Sequence, residues 1–302
     1  MSVVPSWKEI SEIIRLIRLH QWPKNVLIFV PFILAHEWTN ESKLISGILA
    51  FAAMSLASSA TYVVNVLLDI QADRLHPRKK RRPLAAGRVS KRVVTSCAFL
   101  CLVLSFVISL LSSSPAFFGF VIGYVALSFA YSIAFKKIIV ADVMVLSSLY
   151  GLRLLAGGAA TGIIVSPWLL AFSAFLFLSL AFLKRFSELK VRVNDGTNQL
   201  PGRGYQASDL ALIQISGLSS ALMSVVVFFI YIAGSEIVRG YYSQPLFLWL
   251  IGPILIYWLT RIWFLAERGV VKDDPVDFAL RDWTSWILGI IAMLLVLAAS
   301  TG

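Results

Sequence analysis

Residues Asn65–Arg92 read NVLLDIQADRLHPRKKRRPLAAGRVSKR. The stretch closes a long apolar run in which Asn65, Asp69 and Asp73 recur at intervals of four, and it continues with nine Lys and Arg between Arg74 and Arg92. Residues four apart lie one helical turn above another on a single face. Oxygen-bearing side chains stacked at the end of an apolar helix, beside dense positive charge, mark a membrane boundary suited to a divalent metal and a phosphorylated ligand.

Composition agrees with a membrane setting. Over 302 residues, 58% are hydrophobic, only 14% are charged, and the mean hydropathy is +0.81. The apolar residues fall in long runs, which predicts a polytopic α-helical membrane protein. An outer-membrane barrel would show short alternating segments instead. The net charge of +11 is read as cytoplasmic anchoring plus a phosphate site, and no nucleic-acid partner is expected because KKRR sits between two spans. Cys97 and Cys101 lie four apart inside an apolar run and are expected to be buried small hydrophobes, neither a disulfide nor a zinc site.

The chain divides into nine expected spans, each near the ~20 residues that a bilayer core requires. An amphipathic lead over 1–24 is followed by spans near 14–36, 44–68, 93–112, 115–135, 138–158, 167–184, 209–234, 245–266 and 283–300. With the amino terminus cytoplasmic, 24 of the 27 Lys and Arg fall on inner segments. Lys43 and Arg239 fall outside, and Arg153 lies within a span. This asymmetry predicts a multi-pass protein of the cell (inner) membrane, with its carboxyl terminus outside. No linker interrupts the chain, so 1–302 is expected to form a single transmembrane domain. Polar loops after spans two and six are spaced as if two four-helix halves were joined, with one helix added.

Polar groups inside spans are costly and usually face the protein interior. Asn65 and Asp69 stand out on that ground. Two carboxylates one turn apart repel unless a cation lies between them. Their hard oxygens suit Mg²⁺, with Mn²⁺ as a substitute. The alternative is plain salt bridging of Asp69 and Asp73 to Arg74, Arg78 or the basic loop. Pro77, Pro83 and Gly87 shape that loop so that it can aim Arg82 or Lys79 at a ligand. Asp142 and Arg153 share a helix face three turns apart, too far for a direct ion pair, so each is expected to find its own partner. Lys24, Lys136, Lys184 and Arg185 gather at cytoplasmic helix ends, where they either snorkel to lipid phosphate or line a phosphate cavity.

On these residues the chain resembles the UbiA superfamily of intramembrane prenyltransferases. The family's first motif, NDxxDxxxD, is matched by NVLLDIQAD at Asn65–Asp73, with Val66 where Asp is common. The usual second motif, DxxxD, is replaced by Lys184-Arg185-Phe186-Ser187-Glu188. That replacement, with RLHQWPKN at Arg18–Asn25, DRLHPRKKRRPLAAG at Asp73–Gly87 and YSIAFKK at Tyr131–Lys137, is similar to the branch containing decaprenyl-phosphate phosphoribosyltransferase.

The resemblance implies an all-α, UbiA-like bundle of nine helices with a cytoplasmic-facing polar cavity. It also implies Mg²⁺-dependent transfer of 5-phosphoribose from phosphoribosyl diphosphate to a polyprenyl phosphate. Asp69 and Asp73 would hold the metal, with Asn65 orienting that site. Lys184 and Arg185 would hold the lipid phosphate. Lys24, Arg82 and Lys136 would clamp the remaining phosphates, and Tyr131 and Asp142 would contact the ribose or orient the cations. The alternatives are prenyl transfer to an aromatic acceptor, and a transporter or lipid-binding scaffold without enzymatic activity.

Overall fold

The computed structural model describes residues 18–75, 84–112, 114–234, 240, 242–271 and 274–300. Among these the regular structure is helical, apart from one isolated β-bridge between Gln199 and Gln206. Eight helices are long and apolar enough to cross a membrane. They are α1 (Glu41–Leu68), α2 (Lys91–Leu111), α3 (Pro115–Ile133), α4 (Ala141–Thr161), α5 (Pro167–Asn194), α6 (Ala207–Gly234), α7 (Leu246–Glu267) and α8 (Trp283–Ser300). They coincide with eight of the nine expected spans, and the protein is an all-α, multi-pass membrane protein.

The expected first span differs. Its described part is an 11-residue 3-10 helix, Leu19–Phe29, followed by a short α-helix, Val30–Leu34. Pro23 and Pro31 lie inside these two elements. Each removes a backbone donor and blocks the preceding turn, which opposes one straight α-helix. The lead before Arg18 lies outside the described residues.

Helix starts follow local chemistry. The side chains of Asn40, Ser90, Ser114 and Ser166 accept the amides of Lys43, Val93, Phe117 and Leu169. Pro115 and Pro167 occupy first-turn positions that need no donor. A second departure concerns α5. The stretch from Lys184 to Asn194, expected to be loop, is helix. No Gly or Pro interrupts Trp168–Asp195, so backbone hydrogen bonding continues past the point where hydropathy falls.

The chain separates into two compact units. The first holds residues up to 135 together with 152–165, and the second holds 136–151 with 166–302. The boundary therefore falls within α4, which the expected division into two halves did not anticipate.

In the first unit, α1 turns a stripe of small buried residues, Ala50, Ala53, Ala57 and Ala60, toward its neighbours. Small side chains allow close helix approach in membranes, and Ser105 of α2 donates to the Ala53 carbonyl at 2.7 Å. The tightest contact is at Gly157 of α4, where an added Cβ would lie 2.0 Å from the Ile28 carbonyl oxygen. Gly157→Ala is accordingly expected to lower stability by about 1–3 kcal/mol or more. Gly119→Ala, where a Cβ meets nothing within 4 Å, should barely move the melting temperature in detergent. Equal melting of the two variants would contradict this packing.

In the second unit, α5 and α6 run together as the main helix pair. Gly217 of α6 admits the ring of Trp263 from α7, whose indole donates to Ser179 of α5 at 3.2 Å. Ile232, Tyr242, Leu248, Ile251 and Ala299 form the core under α8.

Candidate functional site

In the first unit, α1 ends at Asp69, whose amide donates to the Asn65 carbonyl at 3.0 Å before the short helix Ile70–Leu75 begins. Val63, Val66 and Ile70 on α1 and the following helix are buried with Leu84, Val89, Val94 and Ala98. This apolar contact anchors one face of the helix end and leaves Asn65 and Asp69 half-buried. Asp73 lies on the next helix; its side chain and the whole of Arg82 lie outside the described set.

The donor set at this helix end is an amide oxygen and a carboxylate one turn apart. Among the described residues no group of three or more His, Cys, Asp or Glu gathers as a metal cage. Hard oxygens in small number fit Mg²⁺, which commonly keeps waters and shares substrate phosphates. They do not fit a structural zinc site.

A second polar group lies deeper in the first unit. Arg153 of α4 donates from Nε to Asn25 at 2.7 Å and from a terminal nitrogen to the Tyr124 hydroxyl at 3.0 Å. Asn25 in turn donates to Ser55 of α1 at 3.0 Å. Three segments and α1 are thus pinned around one buried guanidinium. Arg153 finds partners of its own here, as its depth in the span led one to expect. Lys24 is also buried beside Asn25 in sequence, and Tyr131 is half-buried near the end of α3.

The second unit holds Lys136, Asp142, Lys184 and Arg185. Arg185 is fully buried. Its Nε and a terminal nitrogen donate to the two oxygens of Asp142, and another terminal nitrogen pairs with Glu188. Asp142 also accepts from Arg203 at 3.4 Å. In this arrangement the Arg185 guanidinium is engaged by carboxylates and does not present itself as an open phosphate ligand. Asp142, likewise 0% exposed, is paired with both arginines.

Lys184 is the more available cation. Its ammonium, on a side chain 27% exposed, pairs with Asp274 at 3.0 Å. The pair borders a small recess lined by Leu146, Tyr150, Leu180, Ala181, Pro275 and Val276.

Arg203 and Asp274 are neighbours of these residues that sequence patterns did not single out, whereas Glu188 had already stood out as the replacement for the second motif Asp. Arg203 and Asp274 lie 61 and 90 residues from their partners, beyond any helical period. An Asp274-Pro275 step before a helix was the one local signal for Asp274.

Eight apolar crossings with charged residues buried in both units define an intramembrane helical protein built around polar chemistry. The UbiA prenyltransferase family model matches residues 26–278, and the chain belongs to that family. It is a transferase by that membership. Its relatives include the uncharacterized protein y4nM of Sinorhizobium fredii, 38% identical over 93% of this chain and 55% of that protein. The nodulation protein NoeC of Azorhizobium caulinodans is 33% identical over 94% of each chain. The decaprenyl-phosphate phosphoribosyltransferase of Mycobacterium tuberculosis is 29% identical over 96% of this chain and 94% of that one. The chain thus spans about half the length of y4nM and nearly all of the other two. A UbiA homologue from Archaeoglobus fulgidus, solved bound to GPP and Mg²⁺, has the same fold, with a TM-score of 0.68 at 19% identity, covering 95% of this chain and 98% of that chain.

Proposed function

We propose that this protein transfers 5-phosphoribose from phosphoribosyl diphosphate to a polyprenyl phosphate and releases diphosphate. The proposed setting is the cytoplasmic face of the cell membrane, with the amino terminus inside and the whole of 1–302 acting as one UbiA-like domain. The observation that carries the reading is Lys184. A cation stands where the family's usual second motif has Asp, at the rim of an apolar recess. Likeness to decaprenyl-phosphate phosphoribosyltransferases supports it.

Asn65, Asp69 and Asp73 would hold a Mg²⁺–diphosphate group, with Mn²⁺ as a substitute. A metal held there would supply positive charge to the diphosphate leaving group. Lys184 would receive the lipid phosphate, whose oxygen forms the new bond to the anomeric carbon. That oxygen is ionised near neutral pH, so no strong base is required. Lys24, Arg82 and Lys136 are assigned to the remaining phosphates and Tyr131 to the ribose. Arg185 and Asp142 are reassigned to holding α5 and the start of α4 in place.

Asp274 sets the affinity of the lipid site by occupying Lys184 when no phosphate is bound. Asp274→Asn keeps the oxygen that accepts from Val276 while removing the competing charge. The Michaelis constant for polyprenyl phosphate is expected to fall about three- to tenfold, the scale of one partly exposed ion pair. A rise would show that Asp274 aims Lys184 instead of competing for it.

The reaction itself is tested with purified protein, Mg²⁺, labelled phosphoribosyl diphosphate and polyprenyl phosphate. Parallel tubes contain a prenyl diphosphate and an aromatic acid. Lipid-linked phosphoribose is expected. Prenylated aromatic product in its place would overturn the proposal, and solute flux in vesicles without either product would favour transport.

A further inference from the structure

Val140, just before α4, has φ +67°. A β-branched residue rarely adopts this left-handed conformation, which costs about 1–2 kcal/mol. Such strain persists only where surrounding structure over-determines it.

Three consecutive residues of the 195–206 loop supply that constraint. The Tyr205 hydroxyl accepts the Val140 amide at 3.2 Å, from a ring that is 2% exposed. Gly204 lies so close that a Cβ would stand 2.7 Å from the Lys137 carbonyl oxygen. Arg203 reaches Asp142, two residues beyond the strained position, at 3.4 Å. The loop is itself braced, since Leu200 donates to the Tyr205 carbonyl at 3.0 Å and Ala207 to the Asn198 carbonyl at 2.9 Å. The clamped turn carries Lys136 at its start and Asp142 at its end, both buried.

We infer that Tyr205, with Arg203 and Gly204, is a positioning residue that holds the strained Val140 turn and so aims Lys136 at the anionic substrate. The role of Lys136 rests on the proposed phosphoribosyl transfer; the clamp does not. Neither Tyr205 nor Val140 needs to touch substrate.

The test uses the full chain in detergent with Tyr205→Phe, Val140→Gly and the double variant. Glycine adopts positive φ without penalty, so the turn in the Val140→Gly protein should not need the tyrosine. Melting without substrate reads the clamp by itself. Tyr205→Phe should lower the melting temperature by different amounts in the wild-type and Val140→Gly backgrounds, since the residue-140 amide loses its acceptor in both while only valine has backbone strain to release. Additive effects would overturn the clamp.

Kinetics with phosphoribosyl diphosphate then read positioning. Tyr205→Phe should raise KM about five- to tenfold, the scale of one hydrogen bond, with kcat changed much less. The double variant should return to within about threefold of wild type. A variant that melts early but keeps its KM, or a KM defect that Val140→Gly does not rescue, would overturn positioning. If wild type transfers no phosphoribose, the reaction assignment fails. The same comparison is then made with the prenyl diphosphate pair, while the melting cycle still judges the clamp.

Discussion

The Asp69→Asn protein is expected to lose transfer activity by about three orders of magnitude, equivalent to ~4 kcal/mol of barrier, while remaining folded. The side chain is half-buried at the break between α1 and the Ile70–Leu75 helix. The packing of that helix end is carried by Val66, Ile70 and their apolar partners. An amide is nearly isosteric with the carboxylate, so melting without ligand should change by no more than ~1 kcal/mol. What disappears is the negative charge that the proposed Mg²⁺ site requires. Calorimetric titration with Mg²⁺ and inorganic diphosphate should accordingly show weakened binding, and raising Mg²⁺ should recover part of the rate. Wild-type kinetics in Asp69→Asn would remove this residue from the site and return it to salt bridging.

Arg185→Ala is expected to act through the fold. The guanidinium is fully buried and satisfies both oxygens of Asp142 as well as Glu188. Removing it takes the Nε partner and one terminal-nitrogen partner from a buried carboxylate that keeps the longer contact to Arg203, a loss of about 3–5 kcal/mol. Arg185→Lys should rescue little, because an ammonium cannot reproduce the planar fork that meets two carboxylates. Removing both charges behaves differently. Arg185→Met combined with Asp142→Leu should regain much of the melting temperature, since a buried ion pair replaced by apolar groups is often neutral. The contrary outcome is a well-folded Arg185→Ala protein with a raised KM for the lipid phosphate. That would restore Arg185 to the phosphate contact expected from its place beside Lys184.

These two variants separate what local pattern reveals from what it does not. The placement of Asn65 and Asp69 one turn apart at a helix end was legible because their spacing is a helical repeat and their position is the end of an apolar run. Arg185 and Lys184 are adjacent and chemically alike, and nothing local says that one is consumed by internal pairing while the other borders a recess. Asp142 is 43 residues from Arg185, and Asp274 is 90 from Lys184. Contacts across such distances leave no periodic trace.

Helix ends show the same division. The ends of α1 and α4 lie within a few residues of the hydropathy boundaries, because apolar length and helix length coincide there. They part company at α5, which runs to Asn194, and at the first segment, where Pro23 lies within a 3-10 helix and Pro31 within the short α-helix that follows.

By itself the sequence determined that this is an all-α, multi-pass membrane protein of the UbiA family with acceptor oxygens at the end of α1. The helical membrane class follows from apolar run length and the placement of the oxygens from four-residue spacing, while the family came from the resemblance of short motifs such as NVLLDIQAD; all are local quantities. Only the tertiary structure decided which charges are already answered. It closed Arg185 against Asp142, set Asp274 on Lys184, and locked a strained valine beneath Tyr205. The reason is physical: burying a charge or holding a positive φ is tolerable only when partners arrive in three dimensions, and packing chooses those partners.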